Sequence, residues 1–230
     1  VGATLLVISV SCLILGLSWT GGTYGWFTAP TLAFFAAALI VSIAFFRWES
    51  RAEEPIIPLH LMKIDVVRAI VPLMILVGAV FYGANAFMPL YLQGVTGVSA
   101  TNSGLLLVPL AVAVAGAATI IGRITSKTGS YKIWPAVGAA LALIGFIMAS
   151  LLGSTHAYLY LAMTASFFIG AGMGALFPTS TLAVQNAVES HEIGAASSIV
   201  IFVRQLGGAI GLAIYGAIFL FGLLYVLGRR

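Results

Sequence analysis

Residues 122–132 read GRITSKTGSYK, a polar stretch carrying Arg123, Lys127 and Lys132 between two long apolar runs. Three readings compete for it: a phosphate-binding loop, a connector between helices, or part of a moving mechanism. The first fails on spacing. A phosphate loop needs G-x-x-x-x-G-K-[ST], so that successive backbone N–H groups curl around the anion. Counted from Gly122, Lys127 stands where the second glycine belongs, and no strand-like run precedes it. The flanks favour a connector. About 20 apolar residues cross a bilayer as a helix, because lipid offers no partner for unpaired backbone groups. GRITSKTGSYK is then a tight turn between two antiparallel membrane helices. Gly122 and Gly129 would permit close approach and positive φ there, and the cations sit well at the C-terminal end of the preceding helix.

Composition agrees. Hydrophobic residues make up 61 % of the 230 and charged residues 7 %, with a mean hydropathy of +1.14. A soluble domain keeps its surface wet with about a quarter charged residues. This chain cannot, so its surface faces lipid, and the expectation is an all-α, multi-pass integral membrane protein with the lipid bilayer as its first partner. The net charge of +4 comes from basic residues in short connectors, so it does not suggest nucleic acid. Cys12 lies within an apolar run and reads as a packed thiol.

Seven candidate spans follow: 3–17, 30–46, 69–92, 103–121, 134–152, 157–181 and 195–227. Gly207-Gly208 in the last is expected to bend it or to admit a close neighbour. The connectors alternate in character. Residues 18–29, 93–102 and 153–156 carry no Lys, Arg, Asp or Glu, whereas Arg47, Arg51, Lys63, Arg68, Arg123, Lys127 and Lys132 fall in the others. The positive-inside bias makes the charged connectors cytoplasmic, and Trp19, Tyr24 and Trp26 suit the opposite interface. Arg229 and Arg230 break the alternation, and Val1 opens the chain without a basic leader. The expectation is a chain cut at both ends, whose first run is a shortened span and not a signal peptide. Residues 47–68 (RWESRAEEPIIPLHLMKIDVVR) form the longest polar connector, where Pro55 and Pro58 stop helix continuation. It separates a helix pair (1–47, with 48–67 as linker) from a bundle of five helices (68–230), and 56–62 is expected to lie along the membrane surface.

GRITSKTGSYK resembles the loop motif G-x-L-a-D-r-x-G-r-k of the major facilitator superfamily, through Gly122, Ile124, Lys127, Gly129 and Lys132. Ser126 stands in place of the motif's Asp and Ser130 where Arg is frequent, which puts the family's charge lock in doubt here. The stretches 87–109 (FMPLYLQGVTGVSATNSGLLLVP), 170–183 (GAGMGALFPTSTLA) and 201–219 (IFVRQLGGAIGLAIYGAIF) resemble the C-terminal half of the fourteen-helix drug:proton antiporter branch. The resemblance implies an exporter of drugs or other amphiphilic small molecules, working by alternating access. The chain would be that branch's extra helix pair plus five of its last six helices, in a bacterial inner membrane, with the N-terminal half of the same transporter as partner. Residues 1–47 would then be the extra pair inserted between the halves.

In that family the cavity is lined largely by the first and fourth helices of each half, here 69–92 and 157–181. The substrate-site candidates are Phe81, Tyr82, Asn85, Met88, Pro89, Thr164, Phe167 and Phe168. Asn85 near mid-span is costly without a partner or water. The aromatic rings and Met suit lipophilic cations and neutral drugs, although plain packing would also place them there. Gating candidates are Gly122, Arg123, Ser126, Lys127, Gly129 and Lys132 with Arg204 and Gln205. Arg204 either contacts another part of the transporter or snorkels to the interface. Gly170, Gly172 and Gly174 read as close-packing positions, and Pro178 as a kink or end.

Proton coupling normally needs a carboxylate tuned within the membrane. Glu49, Glu53, Glu54, Asp65, Glu189 and Glu192 all fall in connectors, so the expected proton site lies outside this stretch. His60, His156 and His191 show no metal-ligand spacing on one helix, and no cofactor motif is present. Two other classes are kept open. An intramembrane hydrolase would use Ser166, Ser180, Ser197 or Ser198 with His156 or His191, which fall on opposite sides. A channel-like or structural subunit would work only in assembly.

Overall fold

The computed structural model describes residues 2–20, 28–51, 59–105, 107–152 and 158–227. Tyr24, Trp26, Glu53, Glu54, Pro55, Pro58, His156, Arg229 and Arg230 lie outside the described residues, as does the side chain of Trp19. Each apolar run is helical: α1 (Gly2–Thr20), α2 (Ala29–Glu49), α3 (Asp65–Thr96), α4 (Ala100–Leu105), α5 (Val108–Thr128), α6 (Trp134–Ser150), α7 (Tyr158–Gln185) and α8 (Ile193–Leu227). Two 3-10 turns, Leu59–Lys63 and Ser190–Glu192, precede α3 and α8, and the described residues contain no strand. Five helical stretches are long and apolar enough to cross a membrane, and Gly2–Gly16 and Trp134–Ser150 are shorter apolar ones.

Four details differ from the sequence expectation. The fourth run is two helices, α4 and α5, with Pro109 in the first turn of α5, although together they make one spanning stretch, Ala100–Thr128. GRITSKTGSYK is mostly helix: Gly122, Arg123, Ser126 and Lys127 belong to α5, which stops only at Gly129. Nothing before Gly129 breaks the helix, and Ser126 and Thr128 donate to carbonyls one turn back, Gly122 O at 2.9 Å and Ile124 O at 2.8 Å. Of the two readings of Pro178, a kink or an end, the end fails, since α7 continues to Gln185. Glu49 is no connector residue but the last residue of α2, and it is 3 % exposed.

The chain groups into two compact units, Val1–Gly83 with Ser190–Arg230, and Ala84–Glu189. In the first unit, α1 and α2 run antiparallel. Gly16 lies against Phe34, and Ser9 Oγ meets Ser42 Oγ at 2.5 Å and Ala38 O at 3.3 Å. The first part of α3 runs parallel to α8, as Ile75, Ala79 and Gly83 face Gly207, Gly211 and Tyr215 in turn. A methyl group on Gly78 would lie 1.9 Å from Arg204 O, and one on Gly207 2.1 Å from Ile75 O. Gly207-Gly208 therefore admits a neighbour.

In the second unit α7 is the centre, and more of its apolar window is buried than in any other spanning stretch. It runs parallel to α5, with Gly170 on Leu110 O and Gly174 on Val114 O. It runs antiparallel to α6, with Gly172 on Gly138 and Ile169 on Gly145. Without a hydrophobic drive between helices in lipid, such backbone-to-backbone approach supplies the packing that holds them. The GAGMG glycines thus serve two faces of one helix. Alternate ones, Gly170 and Gly174, meet α5, and Gly172 meets α6.

Candidate functional site

The eight substrate-site candidates fall on α3 and α7, and the structure sorts them by what they touch. On α3, Phe81 and Tyr82 stack edge to face with ring centres 5.5 Å apart. The Tyr82 ring lies over Gly208 of α8, where a methyl group would sit 2.2 Å from it. Tyr82 is thus a packing residue of the first unit. Asn85 is half-buried and not without a partner.

Met88 is 9 % exposed and packs with Leu92, Leu152, Ala162 and Ala165. Its sulfur accepts the hydroxyl of buried Ser166 at 3.6 Å. Met88 and the α7 candidates therefore share a unit, but Met88 is committed to the core. Pro89 beside it is half-buried.

On α7 the candidates point elsewhere. Tyr160 is 74 % exposed, Phe167 is 48 % exposed, Thr164 is exposed and Ala171 half-exposed. They recur every three or four residues and make one stripe of the helix. Thr164 donates to Tyr160 O at 2.9 Å, so its hydroxyl makes no demand on its surroundings. Phe168, half-buried, meets Phe167 edge to face at 6.0 Å. Ile169, two residues past Phe167 and thus about 200° round the helix, is fully buried against α6. α7 thus has a packed side and an open side, and Thr164 and Phe167 are on the open one.

The sequence did not single out a pocket on the packed side. It measures about 160 Å³ and is bounded by Ala84, Met88 and Tyr91 of α3, Phe146 and Ala149 of α6, and Ile169 of α7. Only Met88 among these was a site candidate. The others are ordinary apolar residues whose meeting depends on helix register.

The gating candidates form two separate groups. Arg123, Ser126, Lys127 and Lys132 are exposed around the end of α5. Gly129 caps that helix at φ 68°, its N–H donating to Thr125 O at 2.8 Å. This is a left-handed glycine cap that satisfies a terminal carbonyl. Gly122 is helical, and a methyl group on it would meet nothing within 4 Å among the described residues. Trp134 Nε1 donates to Ser130 O at 3.2 Å and holds the turn to the start of α6. Arg204, in the other unit, is half-buried and not without a partner, and its carbonyl faces Gly78; Gln205 is exposed.

Also in that first unit, His60 Nε2 contacts the Glu192 carboxylate, joining the two 3-10 turns. The serines weighed as nucleophiles are otherwise engaged. Ser197 and Ser198 donate to Ile193 O and Gly194 O, and Ser166 donates to Met88. Ser180 Oγ is buried without a hydrogen-bond partner among the described residues.

The sequence profile of the Major Facilitator Superfamily matches residues 1–212. An uncharacterized MFS-type transporter of Mycobacterium tuberculosis (Rv1877) is 34 % identical over 223 residues, covering 95 % of this chain and 32 % of that protein. The multidrug transporter protein MdtP of Bacillus subtilis is 32 % identical over 217 residues, covering 94 % of this chain and 40 % of its own length. Multidrug resistance protein 3 of the same organism is 31 % identical over 218 residues, 94 % of this chain and 42 % of that protein. The chain spans about a third to two fifths of the length of these relatives.

Proposed function

Because this chain belongs to the Major Facilitator Superfamily, we propose that it is part of an exporter of drugs or other amphiphilic small molecules. The observation that carries this reading is the likeness, over nearly the whole chain, to two Bacillus proteins named for multidrug transport and resistance. We place the protein in the fourteen-helix drug:proton antiporter branch and in a bacterial inner membrane. Residues 1–47 are its extra helix pair, 48–67 a cytoplasmic linker and 68–230 part of the C-terminal bundle.

The open stripe of α7 supports a substrate-facing role. A helix that is otherwise the centre of its unit leaves Tyr160, Thr164 and Phe167 uncovered, and exposed rings suit flat lipophilic cations and neutral drugs. Asn85 supplies a polar contact from α3. Alternating access asks bundles to move as rigid bodies. The glycine contacts of α7 with α5 and α6 lock backbone to backbone and keep that unit stiff. Met88 and Tyr82 act in this reading as supports, because both are held in packing.

Coupling to protons is assigned to a carboxylate elsewhere in the complete protein. Glu49 is the one acid among the described residues that is less than a tenth exposed, and it ends α2, in the other unit from α7.

The test uses the complete gene product in a strain lacking its own efflux pumps. Phe167→Ala and Asn85→Ala should change the spectrum of exported compounds while leaving membrane abundance near wild type. In inverted vesicles, adding a transported compound should dissipate a preformed proton gradient. An unchanged spectrum in both variants would reject these site residues. A gradient indifferent to every exported compound would reject antiport.

A further inference from the structure

The pocket on the packed side of α7 invites a second ligand. Its walls are Ala84, Met88 and Tyr91 of α3, Phe146 and Ala149 of α6, and Ile169 of α7, with Leu152 at one end. It opens to the surface and measures about 160 Å³. Three occupants compete for such a space in a membrane helix bundle: nothing, water, or an apolar chain. Water needs two to four polar partners, and among these side chains only the Tyr91 hydroxyl offers a strong one. The Met88 sulfur already accepts the Ser166 hydroxyl. Emptiness forfeits the dispersion contacts of every wall atom. An apolar void of about 150 Å³ is known to take up a benzene-sized guest from water. In a multi-pass membrane bundle the outer solvent is hydrocarbon. Leu143, on the same helix as Phe146 and Ala149, is 60 % exposed.

We propose that this pocket takes the acyl chain of a membrane phospholipid, as a site separate from the open stripe of α7. The separation follows from helix geometry, since Ile169 stands about 200° round from Phe167. No transfer from water drives the binding, because the tail is in hydrocarbon before and after. What favours it is the packing recovered when the tail end fills a fixed cavity. Tyr91 fits the same picture, its ring lining the pocket and its hydroxyl free to meet the more polar part of the lipid.

The experiment is photolabelling of the complete gene product, reconstituted in vesicles of phosphatidylcholine with a diazirine partway along one acyl chain. Adducts are mapped by peptide mass spectrometry. Labels are expected on Met88 and Tyr91 as well as on exposed Leu143. Ala149→Phe, which fills the cavity from α6, should lower labelling of Met88 and Tyr91 about tenfold with Leu143 unchanged, because an occupied core site has no room for a second group. Ala84→Phe fills it from α3 and should act alike, so that a folding failure in one variant leaves the other to decide. Tyr91 and Met88 unlabelled beside a labelled Leu143 would overturn the proposal. So would labelling that neither variant reduces. Labelling of both residues that disappears on adding an excess of tetraphenylphosphonium would give the pocket to a transported cation and equally overturn it.

Discussion

Gly172→Ala places a single methyl group where two helices meet backbone to backbone. The new Cβ would lie 2.5 Å from Gly138 O and 2.6 Å from Ala142 N, where ordinary contact begins at 3.4 Å. The difference, 3.4 − 2.5 = 0.9 Å, must come from moving α6 away from α7, because neither neighbour is a side-chain tip that can swing aside. Overpacking of this kind costs about 1–3 kcal/mol. In water, Gly→Ala within a helix returns about 0.5–1 kcal/mol. In a bilayer much of that is lost, since the separated helices are already formed. The expected net effect is a loss of about 1–3 kcal/mol, or roughly a five- to 150-fold fall in the folded-to-unfolded ratio. Reversible unfolding of the purified protein in mixed micelles, titrated with a denaturing detergent, reads this ratio. Gly116→Ala is the matched control, because a methyl group there meets nothing within 4 Å; it should stay within about 0.5 kcal/mol of wild type. Equal behaviour of the two variants would refute the claim that backbone contact at Gly172 holds α6 to α7.

Three further outcomes are expected. Gly129→Ala should destabilise by about 1–2 kcal/mol, since only glycine takes the left-handed cap without strain, whereas Gly122→Ala, helical and without close neighbours, should be near neutral in the same unfolding assay. In a Cys12→Ala background, Ser99→Cys should react with an impermeant maleimide from outside intact cells and Ser130→Cys only after permeabilisation; the reverse pattern would invert the assigned topology. A double-mutant cycle with His60→Ala and Glu192→Gln should give a coupling below about 1 kcal/mol that weakens with salt, because the His60 side chain is 60 % exposed.

The GRITSKTGSYK stretch shows how far the residues alone carry. Its cations, set against the uncharged connectors, gave it an expected side of the membrane, but the helix expected to end at residue 121 runs on to the Gly129 cap. The seven extra helical residues before Gly129 were also legible in principle, since no breaker lies among them. The GAGMG run announced close packing, yet nothing in it said that Gly170 and Gly174 belong to α5 and Gly172 to α6. Met88 and Phe167 looked equivalent as apolar candidates, and they proved to differ, one packed against Ser166 at a pocket wall and one uncovered.

From the residues alone follow the set of membrane helices, their approximate places along the chain and the family resemblance. Those features follow from local hydrophobicity and from the need of each buried backbone group to be satisfied within its own helix. Helix packing, by contrast, sets which face of α7 is open, that Tyr82 lies over Gly208, and that Tyr91, Phe146 and Ile169 line a pocket. These depend on the register between helices distant in sequence. In lipid that register is set by steric fit between small residues, and the polarity pattern of any one segment does not encode it.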